Sequence, residues 1–514
     1  MGEATEYHQR LLRMILDGEI TDKDALQRAK IELCRRYALA GVPRNSETLA
    51  FASDEEYPLV ISILRRKPVR TLSGVAVVAV MTSPAPCPHG KCIFCPGGVE
   101  NNSPQSYTGK EPAALRGANY EFDPERQVRG RMEQLEMIGH ETEKVDLIVM
   151  GGTFTSRERS YQDDFVKRCF DGLNGEASQT LIEAQARNET SEHRCIGMTV
   201  ETRPDHFTTE ICANVLRLGA TRVEFGVQIL DDTILTSVNR GHGVTEVSDA
   251  TKVAKDAGIK VCYHVMPGLP GSSMEKDVGS FRTMFDDERF RPDMVKIYPT
   301  LVVKGTKLYD MWLNGEYEPL GTEEATETIS EMLRLVPRWA RVQRIQRDIP
   351  VPLIEAGVDK GHLRELAEAR LKKKGARCQC IRCREVGLKG ITAFERNEVV
   401  LMSESYRSSG GTEDFISLEL PEQDGLVGFV RLRRGEGIDA MVRELKVFGL
   451  MAKIGQDGNV QHRGFGKELL ALAEQRAREH GYQGLRVTSG VGVRRYYSTL
   501  GYDHHGPYMR KVLR

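Results

Sequence analysis

Cys87-Pro88-His89-Gly90-Lys91-Cys92-Ile93-Phe94-Cys95 places three thiols within nine residues, and Pro96-Gly97-Gly98 follows at once. The stretch opens straight out of an apolar, strand-like run, Val75 to Met81. Three thiolates this close repel one another unless a metal takes up their charge, so the spacing calls for an inorganic partner. Two partners fit. A tetrahedral zinc ion wants a fourth protein ligand, which His89 could supply. A [4Fe–4S] cluster held by three cysteines instead leaves one iron open, where a small molecule can bind. The surrounding sequence has to decide.

From Val75 onward a pattern repeats: a short β-branched run, polar residues at its end, then an amphipathic helical stretch. The runs are Val75–Met81, Val145–Met150, Cys195–Val200, Arg222–Gln228, Lys260–Met266 and Met294–Tyr298. Strands separated by helix-length connections predict parallel pairing with right-handed crossovers. No G-x-G-x-x-G follows the first run, so a partial, six-stranded α/β barrel fits better than a dinucleotide fold. Barrel chemistry gathers at the carboxyl ends of the strands. There lie the cysteines, then Gly151-Gly152-Thr153, then Glu201-Thr202-Arg203 and Gln228. His264 sits in the fifth strand, which runs into Pro267-Gly268-Leu269-Pro270-Gly271, and the sixth carries Lys296 and Tyr298. Any one of these alone is more often a cap or a satisfied core polar group. Their recurrence at one end of successive units shifts the balance to a site.

At 514 residues the chain has room for about three domains. Its 72 basic and 73 acidic residues leave a formal net charge of -1, so total charge selects no polyanionic partner. Eleven cysteines, most outside the tight groups, fit a reducing compartment better than a disulfide framework. No signal peptide and no apolar run of the ~20 residues that span a bilayer is present, which predicts a cytoplasmic protein without membrane contact. Residues 1–74 read as helical, with a basic series (Lys30, Arg35, Arg36, Arg44, Arg65, Arg66, Lys67, Arg70) that suits a solvated face or a guide for a phosphate backbone. Residues 75–374 take in the barrel and a helical, charged extension over 320–374. In the linker 375–390, Cys378, Cys380 and Cys383 form a short knuckle, most simply a structural zinc site whose fourth ligand the sequence leaves open.

Residues 391–514 change character to α+β. Strand-like runs Leu426–Leu432 and Met441–Phe448 lead into Gln461-His462-Arg463-Gly464-Phe465-Gly466-Lys467 and a helix over Glu468–His480. A glycine turn opening a helix offers unpaired backbone N–H groups where the helix dipole also favours negative charge, which suits a pyrophosphate. This motif resembles the acyl-CoA loop of GNAT acetyltransferases. Glu444-Leu445-Lys446-Val447 would pair with the pantetheine arm, and Arg495-Tyr496-Tyr497-Ser498-Thr499-Leu500-Gly501-Tyr502 matches the late GNAT turn with a tyrosine near the thioester.

The cysteine loop with its strand-end series resembles a radical S-adenosylmethionine (SAM) barrel, with a first cysteine gap one residue longer than the usual C-x₃-C-x₂-C. A radical SAM barrel fused to a GNAT domain resembles the Elongator catalytic subunit family, in its stand-alone archaeal or bacterial form. Gln105-Ser106-Tyr107-Thr108-Gly109, Lys296-Ile297-Tyr298-Pro299-Thr300 and Gly506-Pro507-Tyr508-Met509 carry the resemblance further. It implies acetyl-CoA-dependent formation of 5-carboxymethyluridine at wobble U34 of tRNA, by an acyltransferase with radical chemistry. A SAM-derived radical takes a hydrogen atom from the acetyl methyl, the carbon radical adds to C5, and the thioester is hydrolysed. The resemblance gives Cys87, Cys92 and Cys95 to a [4Fe–4S] cluster. It gives Gly151, Gly152, Thr153, Glu201, Arg203 and Gln228 to SAM. Lys144, Glu444 to Val447, Phe465, Gly466, Lys467 and Tyr497 go to acetyl-CoA, and Lys296, Tyr496 and Tyr497 to catalysis. tRNA is the implied partner, to a stand-alone chain or a homodimer, with other Elongator subunits only in a eukaryote. A protein lysine acetyltransferase with a structural cluster is the alternative of a different class.

Overall fold

The computed structural model describes residues 3–53, 55–65, 74–346, 349–391, 393–449 and 464–513. Four helices come first: α1 (Glu3–Leu16), α2 (Lys23–Arg36), α3 (Asn45–Leu49) and α4 (Tyr57–Leu64). Helically spaced Leu11, Leu12 and Ile15 of α1 meet Leu26 and Leu33 of α2 and Val60 of α4 in a small core of their own. The Asp22 carboxylate caps α2 by accepting from the backbone N–H of Asp24 and Ala25. Two members of the basic series serve this fold and do not form an open phosphate face. Lys30 is buried and donates to Asn45 Oδ1 at 2.7 Å, and Arg65 Nε donates to the Gly139 carbonyl at 2.7 Å, docking the helices on the barrel. Arg66, Lys67 and Arg70 lie outside the described residues.

Next come the parallel strands β1 (Ala76–Met81), β2 (Lys144–Met150), β3 (Arg194–Thr202), β4 (Arg222–Gln228), β5 (Lys260–Val265) and β6 (Met294–Ile297). A two-residue strand β7 (Val302–Val303), β8 (Arg341–Ile345) and β9 (Ile354–Ala356) follow. β8 pairs in parallel with β6, so the partial barrel has one strand more than the six expected. β8 lies within the stretch read from sequence as helical. Only Val342 of Arg341-Val342-Gln343-Arg344-Ile345 is fully buried, so the run carries almost no apolar signal between its flanking helices Thr322–Leu335 and Leu363–Lys373. Val78, Val80, Val145, Leu147 and Val149 pack against the outer helices in the main core. By strand alternation, the intervening positions face the barrel interior, and many are charged.

The C-terminal sheet holds β10 (Val400–Ser408), β11 (Gly411–Leu420), β12 (Gly425–Arg434), β13 (Asp439–Val447), β14 (Gly484–Val487), β15 (Asp503–His505) and β16 (Tyr508–Val512), in the order β10-β11-β12-β13-β14-β16-β15. β13 pairs with β14 only over Asp439–Val442. Beyond that point its Glu444–Val447 half keeps β12 on one side and, among the described residues, no strand on the other. The opening ends at the helix Phe465–Glu479, capped by Gly464 in the left-handed region at φ 86°. Among the described residues, no helix is long and apolar enough to cross a membrane.

A bulge in β13 joins the two sheets. Arg431 pairs with Glu444 and Leu432 with Val442, so Arg443 is the extra residue. Fully buried, Arg443 Nη1 donates to Asp293 Oδ2 at 3.0 Å, and Arg431 Nη1 stands 3.8 Å from Oδ1 of the same carboxylate. Asp293 directly precedes β6 and also accepts from Val261 N at 2.8 Å. Asp293→Ala should therefore remove the carboxylate shared by two buried guanidinium groups, leaving Arg443 with Glu413 (3.1 Å) and Arg431 with Glu444 (2.9 Å). Urea unfolding should show a loss of about 3 kcal/mol, the low end for removing one partner of a buried pair, since each arginine keeps a second carboxylate.

Candidate active site

At the carboxyl ends of the strands the sheet curls around about 1120 Å³ of atom-free space, open on one side. Every strand of the partial barrel contributes to its wall or to the loop that follows it, from Cys87 and Thr153 through Glu224 and His264 to Lys296 and Arg344. Cys87 is half-buried, and Cys92 and Cys95 are buried. Each sulfur has a polar neighbour. Thr153 Oγ1 lies 3.5 Å from Cys87, His89 Nε2 3.2 Å and Arg240 Nη1 3.6 Å from Cys92, and Gln105 Nε2 3.3 Å from Cys95. Burial pushes the Cys87 thiol up, while Thr153, Arg203 and Arg240 pull against it. Burial, then Arg203 and Arg240, hold His89 down to about 4, so its imidazole is neutral.

The two thiol groups differ in spread. The sulfurs of Cys378, Cys380 and Cys383 lie within 4.8 Å of one another. That suits ligands of one tetrahedral zinc, whose 2.3 Å bonds put sulfurs about 3.8 Å apart. Among the described residues, the Cys87, Cys92 and Cys95 sulfurs make no such compact set. The hydrogen-bond donors His89, Arg240 and Gln105 facing Cys92 and Cys95 suit the sulfurs of an iron–sulfur cluster. At the knuckle, hydrogen bonds from Cys378 and Cys383 hold Cys380 well below the ordinary thiol range, and Glu368 Oε1 stands 3.5 Å from Cys383 Sγ.

Around the cavity, Gly151 takes φ +134°, and a Cβ there would meet Thr82 Oγ1 at 2.0 Å, so only glycine lets this turn close over the wall. Tyr107 Oη donates to Glu201 Oε2 at 2.7 Å. Arg203 lines the wall but is tied to Asp205 (2.9 and 2.7 Å) and to the Arg240 carbonyl (2.7 Å), so it braces the loop. Gln228 has φ 70°, and its buried Oε1 has no partner, an orphan acceptor suited to a polar ligand.

Deeper in, the Lys296 ammonium donates to Glu224 Oε2, and His264 Nε2 lies 2.7 Å from the same oxygen. Burial opposes the charge on Glu224, but Lys296, His264 and Arg222 more than reverse this and keep its carboxyl well below the ordinary range. Burial likewise disfavours the Lys296 ammonium, and Glu224 more than compensates, so it stays protonated. Sequence reasoning passed over Glu224 because it lies mid-strand. The available signal was alternation: residues 224, 226 and 228 share one face of β4.

The remaining expected residues lie elsewhere. Lys144 starts β2, at the opposite end of the barrel from the cysteines, and burial lowers its pKa. Glu444 and Lys446 of β13 face that lower end. Burial would raise Glu444, but Lys260, Arg431 and Lys446 hold it low, while burial itself lowers Lys446. Leu445 and Val447 sit on the same unpaired half-strand. Phe465, Gly466 and Lys467 open the following helix, with Tyr496 beside Gly466 and Tyr497 packed edge-on to Tyr496 at 5.2 Å. Gln461 to Arg463 lie outside the described residues. The structure thus brings Lys296 to the cysteine cavity, whereas Tyr496 and Tyr497 stand by the open edge of β13.

Three family models match the chain: the ELP3 N-terminal domain over 5–72, the Radical SAM superfamily over 84–282 and the Radical_SAM C-terminal domain over 292–373. A tRNA uridine(34) acetyltransferase of Methanocaldococcus infernus is 50% identical over 98% of both chains. Elongator complex protein 3 of Homo sapiens is 41% identical over 98% of this chain and 96% of its own. The solved archaeal Methanocaldococcus infernus Elp3 with N-terminus deletion (1-46) superposes with a TM-score of 0.76 at 45% identity, covering 86% of this chain and 100% of that one. With a cysteine-walled partial barrel and identity of this extent along its length, the chain belongs to the radical SAM family of tRNA uridine(34) acetyltransferases and Elongator complex protein 3.

Proposed function

We propose that this chain converts wobble uridine 34 of tRNA to 5-carboxymethyluridine, using SAM at the cysteine cavity and acetyl-CoA at the open half of β13. One observation carries the reading. Charged groups run through the barrel interior from Lys296 and Glu224 on the cavity wall, through Arg222, Asp146 and Lys260, to Glu444 of β13, and the buried Arg443–Asp293 pair ties β13 to the start of β6.

Cys87, Cys92 and Cys95 would hold the cluster, which would supply the one-electron reduction that radical SAM chemistry needs. The Gly151–Thr153 turn lets backbone approach the amino acid end of SAM, and the orphan Gln228 Oε1 gives it an acceptor. The backbone N–H groups at the start of the Phe465 helix take the pyrophosphate of acetyl-CoA, favoured by the helix dipole. The unpaired edge of Glu444–Val447 takes the pantetheine amides, and Lys144 meets the acyl end. Cys378, Cys380 and Cys383 would hold a zinc ion, which would fix the linker between the sheets. tRNA, and hence the cytoplasm, is the setting.

The test is nucleoside mass spectrometry of tRNA after anaerobic incubation with SAM, acetyl-CoA and reductant. 5-Carboxymethyluridine should appear only when all are present. Acetylated protein lysines without modified tRNA would favour a lysine acetyltransferase instead.

Arg35 and Arg36 close the C-terminal end of α2 and remain candidates for phosphate contact. Neutralising both should weaken all tRNAs about equally and reduce the log–log salt slope by roughly 0.7 to 0.9 per lost contact. An unaltered slope would make them a solvated face.

A further inference from the structure

Formation of a carboxymethyl group from an acetyl thioester ends in hydrolysis, and a water must be activated where the thioester carbonyl lies. The Glu224–His264–Lys296 group has the parts for this step. Glu224 has its side chain fully buried, and its Oε2 lies 2.7 Å from His264 Nε2. A carboxylate accepts but cannot donate, so this contact takes its proton from Nε2, and in the neutral ring Nδ1 is then the acceptor nitrogen. Nδ1 has no hydrogen-bond partner among the described residues. The ring is steadied edge-on by Tyr298, centroids 5.4 Å apart, and His264 lines the cavity. Lys296 binds the other side of the same carboxylate oxygen and lines both the cavity and the broad lateral cleft beside β1. One of its three N–H donors goes to Glu224, which leaves donors for a carbonyl oxygen that becomes negative. Carboxylate, imidazole and cation therefore converge from three adjacent strands, β4, β5 and β6.

We infer that His264, oriented by Glu224, is the general base that hydrolyses the thioester, and that Lys296 stabilises the oxyanion formed. The inference rests on the function proposed above. His264 Nδ1 takes a proton from water as the water oxygen bonds to the carbonyl carbon. The carbon–sulfur bond then breaks, and the imidazolium returns its proton to the departing sulfur, releasing free CoA. The new carboxyl ionises, and its carboxylate rests against Lys296, with Arg344 also on the cavity wall. No electron is exchanged. The bland alternative is a buried ion pair that only satisfies the barrel interior.

The experiment separates these by a ratio instead of a rate. Reconstituted full-length enzyme is incubated anaerobically with tRNA, SAM, acetyl-CoA and reductant, then quenched in hydroxylamine. Hydroxylamine converts any tRNA-bound thioester to a hydroxamate, while the hydrolysed product stays a carboxymethyl group. Wild type should give carboxymethyluridine with little hydroxamate. His264→Asn and Glu224→Gln should raise the hydroxamate-to-carboxymethyl ratio at least tenfold, and added imidazole should lower it again in His264→Gly. A wild-type ratio in His264→Asn overturns the assignment. So does loss of both products in a His264→Asn protein that retains its iron, because a group needed only for hydrolysis cannot abolish the bond formed before it. Wild type yielding neither product would instead overturn the proposed function itself.

Discussion

Cys92→Ala is expected to reduce SAM cleavage and carboxymethyluridine formation to background. Wild-type protein reconstituted anaerobically should carry about four iron and four sulfide per chain. Cys92 is buried and receives both His89 Nε2 and Arg240 Nη1, so no other thiol can reach its place without displacing them. Folding should survive. Arg240 keeps its 2.6 Å bond to the Gly226 carbonyl, and a neutral His89 tolerates an apolar neighbour. Zinc content provides the internal control, since the compact Cys378, Cys380 and Cys383 set is separate. Cys92→Ala should lower iron and leave zinc unchanged, whereas Cys383→Ala should lower zinc first. Wild-type protein that takes up only zinc at the Cys87 loop would exclude the radical reading.

The barrel was legible because its strands are β-branched runs broken at helix-length intervals, and the β13–helix unit because a glycine turn follows a strand. What stayed hidden was charged. β8 escaped since Arg341, Gln343 and Arg344 mask its alternation, yet Arg344 reaches the cavity wall. Glu224 escaped because a mid-strand carboxylate reads as an unfavourable core residue until Lys296 and His264 are seen beside it. Arg443 could not be assigned at all, as a bulge has no sequence signature independent of its partner strand. Conversely, Lys30 and Arg65 looked like a phosphate guide but are held by Asn45 and Gly139. Polar residues within a fold are legible only with their partners, and these partners lie 15 to 74 positions away.

Gly466→Glu is expected to weaken acetyl-CoA binding by at least about 100-fold, close to 2.8 kcal/mol at 1.4 kcal/mol per decade. Gly466 is the second residue of its helix, and a Cβ there would lie 3.1 Å from Tyr496 Oη and 3.9 Å from Val447 Cγ2. The added side chain therefore enters the gap between the helix start and the unpaired end of β13. Its carboxylate would be stabilised by the helix dipole, which keeps the protein folded, and would occupy the position proposed for the pyrophosphate with the same charge. Bulk and repulsion then act together. Gly466→Ala separates them: it retains only the close contact with the tyrosine hydroxyl, which can shift, and should cost less than about tenfold. Calorimetric titration of acetyl-CoA into each variant measures both. tRNA affinity should stay at the wild-type value in each, because the phosphate contacts proposed on α2 belong to the N-terminal helices, which have a core of their own. Equal acetyl-CoA affinity in Gly466→Glu and wild type would remove this helix start as the phosphate cradle and place the cofactor elsewhere along β13.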